Sequence, residues 1–336
     1  MTRDLDAAAA VVELITGGWR AQAVYTAVKL ELPDHIAAGA GTSADLASAT
    51  GAKEDGIHRL MRLLVAMKVF EGNEETGYRN TAVSEALLIG PGSMRDMCLL
   101  YGEDFYAAWG HAHEAISTVS AGFELAYGQP LYAYLGRNQV ASDRFQRAMK
   151  AGELFFDYVP TVFDFAGKHV IDLGGGNGQL LAAILGATPS ARGTLVDREH
   201  VVAAAQRNLA ATIGLDRVDV VGTDMFTGVP AGGDVYILCR VLAGHSDDAV
   251  MGLFRDIRAK LATPASRLLL LDRLVTEDGS TVLPALWDLH LLMTTGGRHR
   301  SLDHLRALLE RAGLYIERSA QLPVETTALI AAPRED

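Results

Sequence analysis

The chain contains 336 residues, of which 49% are hydrophobic and 21% are charged, so it is long enough for two globular domains with sizeable cores. Its formal net charge of −11 argues against a nucleic acid or an anionic membrane as a partner, because phosphate binding requires clustered Lys and Arg. Because Cys98 and Cys239 form no metal-ligand spacing and no disulfide framework, and no signal peptide or membrane-spanning apolar run is recognised, we expect a cytoplasmic protein.

The N-terminal elements are predicted to be helices followed by a short hairpin. The predicted order is a helical pattern over residues 8–30, a helix over about 32–38, a helix capped by Thr42 or Ser43, a helix over about 53–68, and strands at 69–71 and 78–80. This order predicts a winged helix-turn-helix domain. Such domains often bind DNA, but Glu54 and Asp55 interrupt the basic residues of the second helix, so we favour an interaction role. A DNA-binding regulator that senses a bound nucleotide is the alternative from another functional class.

Residues 85–165 are predicted to form long helices rich in aromatic side chains, a minority of which are expected to line an aromatic substrate pocket. From about Gly167 strands alternate with helices, which predicts an α/β fold with a doubly wound parallel sheet. The expected domains are residues 1–95 for the winged helix, 96–165 for a helical linker with the acceptor pocket, and 166–336 for the catalytic domain.

The segment 168–178 is the most informative stretch, because an apolar strand, an acidic residue and a glycine-rich turn precede a helix. Glycines such as Gly174 and Gly176 permit positive φ and the close approach of a ligand, which is typical of a nucleotide site. Asp172 precedes the turn, and its carboxylate would repel a phosphate but suits an ammonium or sulfonium group. The pattern therefore indicates S-adenosylmethionine as the ligand.

Later predicted strands also lead to candidate ligand-binding residues at their carboxyl ends, where open α/β sheets bind ligands. Asp197 lies roughly 20 positions after the glycine turn and is placed to accept from both ribose hydroxyls. Asp224 is placed to accept from the adenine amino group, with Met225 over the ring. One such carboxylate alone is equally typical of a helix cap, but their regular recurrence favours a site. The remaining residues assigned to the cofactor site are Phe226, Cys239 and Arg240.

The ordered motifs resemble the two-domain small-molecule O-methyltransferases, which include plant caffeic acid and flavonoid enzymes and bacterial natural-product enzymes. The resemblance covers nearly the whole length and rests on residues 27–34, 59–64, 145–149, 172–178, 222–226 and 296–301. It implies a Rossmann-like class I methyltransferase sheet, S-adenosylmethionine as the cofactor, and a homodimer formed through an N-terminal winged-helix dimerisation domain. It also implies that Gly174 and Gly176 contact the methionine portion of the cofactor. The family's acceptor pocket aligns with Met149, Trp287, Leu291 and Thr295.

The chain departs from this family at the catalytic base. Plant members carry a His-Asp pair after the fourth strand, but here that pair aligns with Ala243 and Gly244. One supporting acid is present as Asp272, whereas the other aligns with His304, and His245 lies nearby in the alignment. His245, His304 and Asp272 are therefore the predicted catalytic residues.

Three hypotheses follow from the missing base. In the first, His245 or His304 is a relocated base, since an imidazole titrates near the operating pH. In the second, no base is needed, because orientation alone can lower a barrier by about 7–11 kcal/mol. In the third, the scaffold performs carbon or nitrogen methylation, or a non-methylating hydroxylation, decarboxylation or pericyclic step. His245, His290, His299 and His304 together allow a metal hypothesis, but their spacings are not those of a metal motif. No metal is therefore expected, and His290 and His299 are predicted to be structural or solvated.

The leading prediction is methyl transfer from S-adenosylmethionine to a hydroxyl group of an aromatic or polyketide-like small molecule in bacterial secondary metabolism. The glycines and carboxylates at the strand ends would hold the donor, and the helical region would hold the acceptor. The methyl group would move by an in-line displacement.

Overall fold

A computed structural model describes residues 4–279 and 281–334, which divide into two compact units. The N-terminal unit comprises residues 4–110 and 126–152, and the C-terminal unit comprises residues 111–125 together with the described residues from 153 onward. The predicted domain boundaries at residues 95 and 165 stay predictions. Residues 1–3, 280, 335 and 336, which the predicted domains include, lie outside the described residues.

The first part of the chain is mainly helical. Its elements are α1 (Leu5–Ile15), α2 (Gly17–Lys29), α3 (Leu32–Ala37), α4 (Ser43–Thr50), α5 (Glu54–Ala66), β1 (Phe70–Glu71), β2 (Arg79–Asn80), α6 (Ala82–Glu85), α7 (Arg95–Gly102), α8 (Asp104–Trp109), α9 (Ala112–Thr118), α10 (Gly122–Tyr127), α11 (Leu131–Arg137) and α12 (Gln139–Ala151). The helical pattern of residues 8–30 is divided at Thr16, whose hydroxyl donates to the Val12 carbonyl at 2.8 Å. Gly17 then begins α2.

The predicted helices and hairpin of the winged-helix region are confirmed. Strands β1 and β2 pair antiparallel, with Phe70 opposite Asn80. Thr42 caps α4, because its hydroxyl accepts from the Asp45 amide at 3.1 Å while the Asp45 carboxylate accepts from the Thr42 amide. The apolar face of α5 is buried in the local core together with Leu32, Leu46 and Phe70.

The expectation of long helices over residues 85–165 is wrong. Within that described segment the longest helix, α12, has 13 residues, and the others have eight or fewer. Residues with left-handed backbone interrupt the helical path, including Val119 with φ 54° and Gly128 with φ 69°. Glu103 separates α7 from α8, and its carboxylate accepts hydrogen bonds from Tyr25, Lys29 and Arg144, which joins α2 to α12.

The later part of the chain alternates strands and helices as predicted. After a 3₁₀ turn at Phe156–Tyr158 its elements are α13 (Val159–Val162), β3 (His169–Leu173), α14 (Gln179–Ala187), β4 (Arg192–Asp197), α15 (Glu199–Thr212), β5 (Val218–Gly222), β6 (Val235–Cys239), α16 (Asp247–Lys260), β7 (Arg267–Asp272), β8 (Leu274–Val275), α17 (Val282–Thr295), β9 (Arg300–Ser301), α18 (Leu302–Arg311), β10 (Leu314–Leu322) and β11 (Thr326–Pro333). In the described residues the large sheet has seven strands in the order β10-β11-β7-β6-β3-β4-β5.

The expectation of a wholly parallel sheet is wrong at one edge. Strands β3 to β7 are parallel, but β11 pairs antiparallel with β7 and β10 pairs antiparallel with β11. Only three residues connect Leu322 of β10 to Thr326 of β11. Such a short connection can join only antiparallel strands, because a crossover between parallel strands requires a dozen or more residues. Val324 and Glu325 make this turn with φ 60° and 53°.

Both faces of this sheet are covered by apolar helices. Leu181 and Ile184 of α14 pack on one face, and Phe254 and Ile257 of α16 pack on the other. Because the faces are buried, the carboxyl ends of the parallel strands are the accessible place for a ligand.

Candidate active site

The glycine turn follows β3 as the sequence predicts. Gly174 has φ 73° and Gly176 has φ 57°, a conformation that disfavours residues with a Cβ atom. A Cβ on Gly174 would also lie 2.7 Å from Cγ1 of Val241. A Cβ on Gly176 would meet nothing within 4 Å, so open space adjoins the turn there and a ligand can approach the backbone.

Asp172 lies beneath this turn and is 1% exposed. Its Oδ2 atom is buried and has no hydrogen-bond partner among the described residues. Burial, and to a lesser degree the negative charge of Asp197, raise the pKa of Asp172 to about 7. The ionised form of a buried carboxylate without a hydrogen-bond partner is stabilised by a nearby positive charge. A cationic ligand would supply that charge.

Asp197 joins the end of β4 to the glycine turn. Its Oδ2 accepts from the Gly176 amide at 2.8 Å, and its Oδ1 accepts from the Arg198 amide at 2.7 Å. A carboxylate has about four lone-pair sites, so both oxygens can still accept from ligand hydroxyls. The contact therefore fixes the turn without using up the acceptor capacity of Asp197.

Most of the predicted cofactor residues line one cavity at the strand ends. Asp224 accepts from the Phe226 amide at 2.9 Å, which fixes the loop after β5. The ring centroids of His245 and Phe226 are 4.4 Å apart, so His245 lies beside the loop after β5. The cavity is lined by Gly174, Val196, Asp197, Arg198, Thr223, Asp224, Met225, Phe226 and His245.

Cys239 and Arg240 do not line that cavity. Burial raises the pKa of the Cys239 thiol. Arg240 has φ 54°, donates to Thr326 Oγ1 at 2.8 Å and lies 4.4 Å over the ring of Phe155. Protein contacts thus hold the guanidinium in place, and a role for either residue at the cofactor stays a prediction.

Arg300 fixes the loop that carries Ala243. Ala243 occupies the position of the family's catalytic histidine and is called the vacant base position below. The Arg300 side chain is almost fully buried and donates to the carbonyls of Leu242 and His245 at 2.9 and 2.6 Å, and to Asp247 Oδ1 at 2.9 Å. The Arg298 amide donates to the Ala243 carbonyl at 2.9 Å. Sequence reasoning missed Arg300, because nothing in the sequence relates an arginine to carbonyl groups more than 50 positions away.

The two histidines predicted as relocated bases have other neighbours. His304 Nε2 lies 2.9 Å from Asp247 Oδ2. Burial acts to raise the pKa of Asp247, but hydrogen bonds from Arg300 and His304 outweigh it and hold that pKa below its usual range. Burial, followed by the charge of Arg198, lowers the pKa of His245, which favours its neutral form. Their catalytic roles stay predictions.

Asp272, the third predicted catalytic residue, faces a histidine that the prediction did not include. Asp272 ends β7 and its Oδ1 lies 3.5 Å from Nδ1 of His299. The two side chains are 9% and 7% exposed. The His299 amide donates to Asp288 Oδ1 of α17 at 2.6 Å, which fixes the backbone at this point.

A second cavity, of about 460 Å³, adjoins the vacant base position. Helix α17 contributes Asp288, Leu289 and Leu292, rather than the predicted Trp287, Leu291 and Thr295. The other lining residues are Val119, Ala243, Gly244, His245, Ser246, Gly296, Gly297 and Arg298. Its volume lies within the range of pockets for small organic ligands, roughly 300–1,000 Å³.

The predicted acceptor residues are not among those that line this second cavity. Trp287 packs under the guanidinium of Arg273 at 4.3 Å and meets His290 edge to face. Burial, and then the charge of Arg273, lower the pKa of His290 to about 4. Met149 is half-buried in α12 of the N-terminal unit. Their contact with an acceptor stays a prediction.

The described residues contain neither a metal-binding cluster nor a membrane-spanning helix. No group of three or more His, Cys, Asp or Glu side chains there is arranged to hold a metal ion. Among the helices built from those residues, none has both the length and the apolar character needed to cross a bilayer.

Two known family domains match this chain. Residues 109–315 match the O-methyltransferase domain, and residues 12–90 match the O-methyltransferase dimerisation domain. The first match covers more than half of the chain.

Comparison with individual proteins gives relatives over nearly the full length. The chain is 42% identical to a phenazine-1-carboxylate N-methyltransferase of Pseudomonas aeruginosa, over 98% of each chain. It is 39% identical to a 3-amino-4-hydroxybenzoate 4-O-methyltransferase of Streptomyces cremeus, over 96% of this chain and 90% of the relative. A solved O-methyltransferase from neocarzinostatin biosynthesis, in complex with S-adenosylmethionine and 2-hydroxy-5-methyl naphthoic acid, is 29% identical with a TM-score of 0.76, over 93% of this chain and 95% of that one.

Proposed function

This chain belongs to the O-methyltransferase family and uses S-adenosylmethionine, and we propose that it methylates a hydroxyl group of a small aromatic or polyketide-like molecule. The observation that supports this most is the convergence of Gly174, Asp197 and Asp224 on one cavity at the strand ends. Such convergence from three strands supports the proposal of an adenosine-binding cleft here.

Three features of the site fit S-adenosylmethionine. The open space beside Gly176 admits a ligand to the turn. The unpartnered Oδ2 atom of Asp172 is suited to a positive charge, which this donor carries on its ammonium and sulfonium groups. Asp197 keeps acceptor capacity for ribose hydroxyls.

The protein's contribution to the reaction is binding, orientation and proton removal. Bound S-adenosylmethionine supplies an electrophilic methyl group, which an acceptor oxygen attacks in line with the sulfur. The cavity beside Ala243 is large enough for a bicyclic or tricyclic aromatic acceptor. Holding the acceptor oxygen close to the methyl carbon can lower the barrier by about 7–11 kcal/mol.

We propose that the chain forms a homodimer through its N-terminal domain. Besides the family match of residues 12–90, the exposed apolar side chains of the first two helices support this proposal. Helix α1 has no buried residue, and such an apolar surface is normally covered by a partner. The exposed side chains are Leu5, Val11, Val12, Leu14, Ile15 and Trp19. Sedimentation of the wild-type chain and of Trp19→Glu tests this, since a dimer that the substitution does not weaken contradicts the proposed face.

We propose a cytoplasmic location, which the free thiols of Cys98 and Cys239 support. Recovery of the native protein from the periplasm or the culture medium contradicts it.

We also propose that the chain is divided into domains at residues 1–95, 96–165 and 166–336. Limited proteolysis with cleavage clustered near residues 95 and 165 is the expected result, and cleavage only near residue 152 contradicts it.

The hydroxyl proposal is tested with three aromatic acids and methyl-labelled S-adenosylmethionine. The probes are 3-amino-4-hydroxybenzoate, 2-hydroxy-5-methyl naphthoic acid and phenazine-1-carboxylate. Mass spectrometry detects the labelled methyl group, and NMR of the product identifies the atom that carries it. A methyl group on oxygen in either phenolic probe is the expected result. Transfer to carbon or nitrogen alone, or product formation without consumption of the donor, contradicts it.

The second candidate is methylation of an aromatic ring nitrogen. It is favoured by Ala243 at the base position, because a pyridine-type nitrogen carries a lone pair and no proton, so its methylation needs no base. The relative that is 42% identical is a phenazine-1-carboxylate N-methyltransferase. Methylation of the phenazine probe alone would establish this candidate and exclude the first.

A further inference from the structure

We propose that His299 is the general base for hydroxyl methylation and that Asp272 is the residue that positions it. The inference rests on the proposed function, because only an acceptor that loses a proton needs a base. It assigns the proton to a residue that does not align with the family's histidine.

The backbone around His299 is packed against the vacant base position. The amide of the preceding residue, Arg298, donates to the Ala243 carbonyl at 2.9 Å. A Cβ on Gly297 would lie 2.7 Å from that same carbonyl oxygen, so the close approach depends on the glycine. His299 therefore directly follows a residue in contact with Ala243, although 56 positions separate Ala243 from His299 in the sequence.

The ring of His299 is oriented by charge and by its backbone. Nδ1 is buried, forms no hydrogen bond in the described part of the chain, and lies 3.5 Å from Asp272 Oδ1. A closure of about 0.5 Å would form a hydrogen bond of ordinary length, and catalytic hydrogen bonds often shorten in this way when substrate binds. With the Nδ1 proton directed at Asp272, Nε2 is left as the proton acceptor.

The charged groups around His299 suit a base that becomes cationic. Asp272 approaches from β7, and Asp288 of α17 accepts from the His299 amide. The neighbouring Arg300 directs its guanidinium to Asp247 and to two carbonyls, so its positive charge is neutralised. Two carboxylates therefore lie close to the residue that accepts the proton.

The other candidate bases have different neighbours. His304 pairs with Asp247, and His245 lies against Phe226 and lines both cavities. His299 differs from both because its Nδ1 faces the buried carboxylate that ends β7.

The proposed step moves one proton and one methyl group at the acceptor oxygen. The O–H bond of the acceptor breaks and its proton passes to Nε2 of His299. The oxygen electron pair forms the new bond to the methyl carbon while the carbon–sulfur bond breaks and its electron pair goes to sulfur. The products are the methyl ether, the thioether and an imidazolium that Asp272 stabilises.

The first test needs no acceptor. Nitrogen NMR of the full-length protein labelled in its histidines, saturated with S-adenosylhomocysteine, reports the tautomer of His299, whose signals are assigned from their loss in His299→Gln. We expect a proton on Nδ1 and none on Nε2, with this preference lost in Asp272→Asn. A proton on Nε2 in the wild type would overturn the proposal.

The second test measures turnover with the phenolic probe that the wild type methylates. We expect His299→Gln to lower kcat about a hundredfold and Asp272→Asn to lower it less, with the affinity for S-adenosylhomocysteine unchanged. The control, His113→Gln, alters an exposed histidine of α9 and should leave kcat unchanged. An unchanged kcat in His299→Gln would refute the base assignment while hydroxyl methylation stands. If the wild type methylates only the ring nitrogen of phenazine-1-carboxylate, the proposed function fails, and so does the base assignment.

Discussion

The cofactor half and the proton-transfer half of the candidate site are built differently. The cofactor half uses the ends of β3, β4 and β5, where backbone geometry and hydrogen bonds to main-chain amides position Gly174, Gly176 and Asp197. The proton-transfer half uses loops after β6 and α17, where side chains such as Arg300 and His299 decide the geometry. A site that depends on backbone geometry tolerates few substitutions. A site that depends on side chains can change its chemistry through one substitution. The catalytic base can therefore change position in the sequence while the cofactor site is retained.

The largest expected effect in the cofactor half is that of Asp197→Ala. The substitution removes the acceptor for the Gly176 and Arg198 amides and for ribose hydroxyls. Since a hydrogen bond to a charged group contributes about 1.5–3 kcal/mol, we expect the Kd for S-adenosylhomocysteine to rise about a hundredfold. Calorimetry measures it, with Asp219→Ala on the exposed face of β5 as the matched control. Equal weakening by both substitutions would show that the role of Asp197 is not specific.

Gly174→Ala tests the backbone geometry itself. The φ of 73° costs a residue with a Cβ about 1–2 kcal/mol, and the contact with Val241 adds to this. Gly214→Ala is matched in φ, at 74°, but its Cβ would meet nothing within 4 Å. We expect both variants to lose thermal stability and Gly174→Ala alone to lose cofactor affinity, by about tenfold. A loss of affinity in Gly214→Ala would mean that general destabilisation explains the effect.

The pH dependence of cofactor binding tests the buried carboxylate. Because burial and Asp197 raise the pKa of Asp172 to about 7, the carboxyl group is protonated below that pH and charged above it. A cationic ligand favours the charged form, so we expect the affinity for S-adenosylmethionine to rise as the pH increases through about 7. Asp172→Asn should abolish this rise, and an unchanged pH profile in that variant would contradict the role of Asp172.

The smallest expected effect is that of His304→Gln. His304 and Asp247 are each about one-third exposed, and such ion pairs contribute about 0.2–1 kcal/mol. Because Arg300 still pairs with Asp247 in the variant, we expect a small loss in the free energy of unfolding and nearly unchanged turnover. The Asp247 pKa is held low, so the stability that its contacts provide is present above the unfolded-state pKa and lost as the pH falls through the folded-state value. A large loss of turnover in His304→Gln would restore it as the base.

The cofactor half was largely predictable from the sequence, and the proton-transfer half was not. Strands β3 to β6 lie within a residue or two of their predicted positions, because buried strands bounded by glycine and aspartate have a strong local pattern. The antiparallel edge was missed because the same apolar pattern fits either strand direction. The proximity of His299 to Asp272 depends on how the loop after α17 packs against Ala243, and no local pattern encodes a contact between residues 27 positions apart.

The most direct test of this division is one calorimetric titration of S-adenosylhomocysteine into three proteins: the wild type, Asp197→Ala and His299→Gln. If the two halves are built independently, the wild type and His299→Gln bind with the same Kd and one ligand per chain, while Asp197→Ala binds about a hundredfold more weakly. Equal loss of binding in both variants, or full binding by Asp197→Ala, would contradict the account.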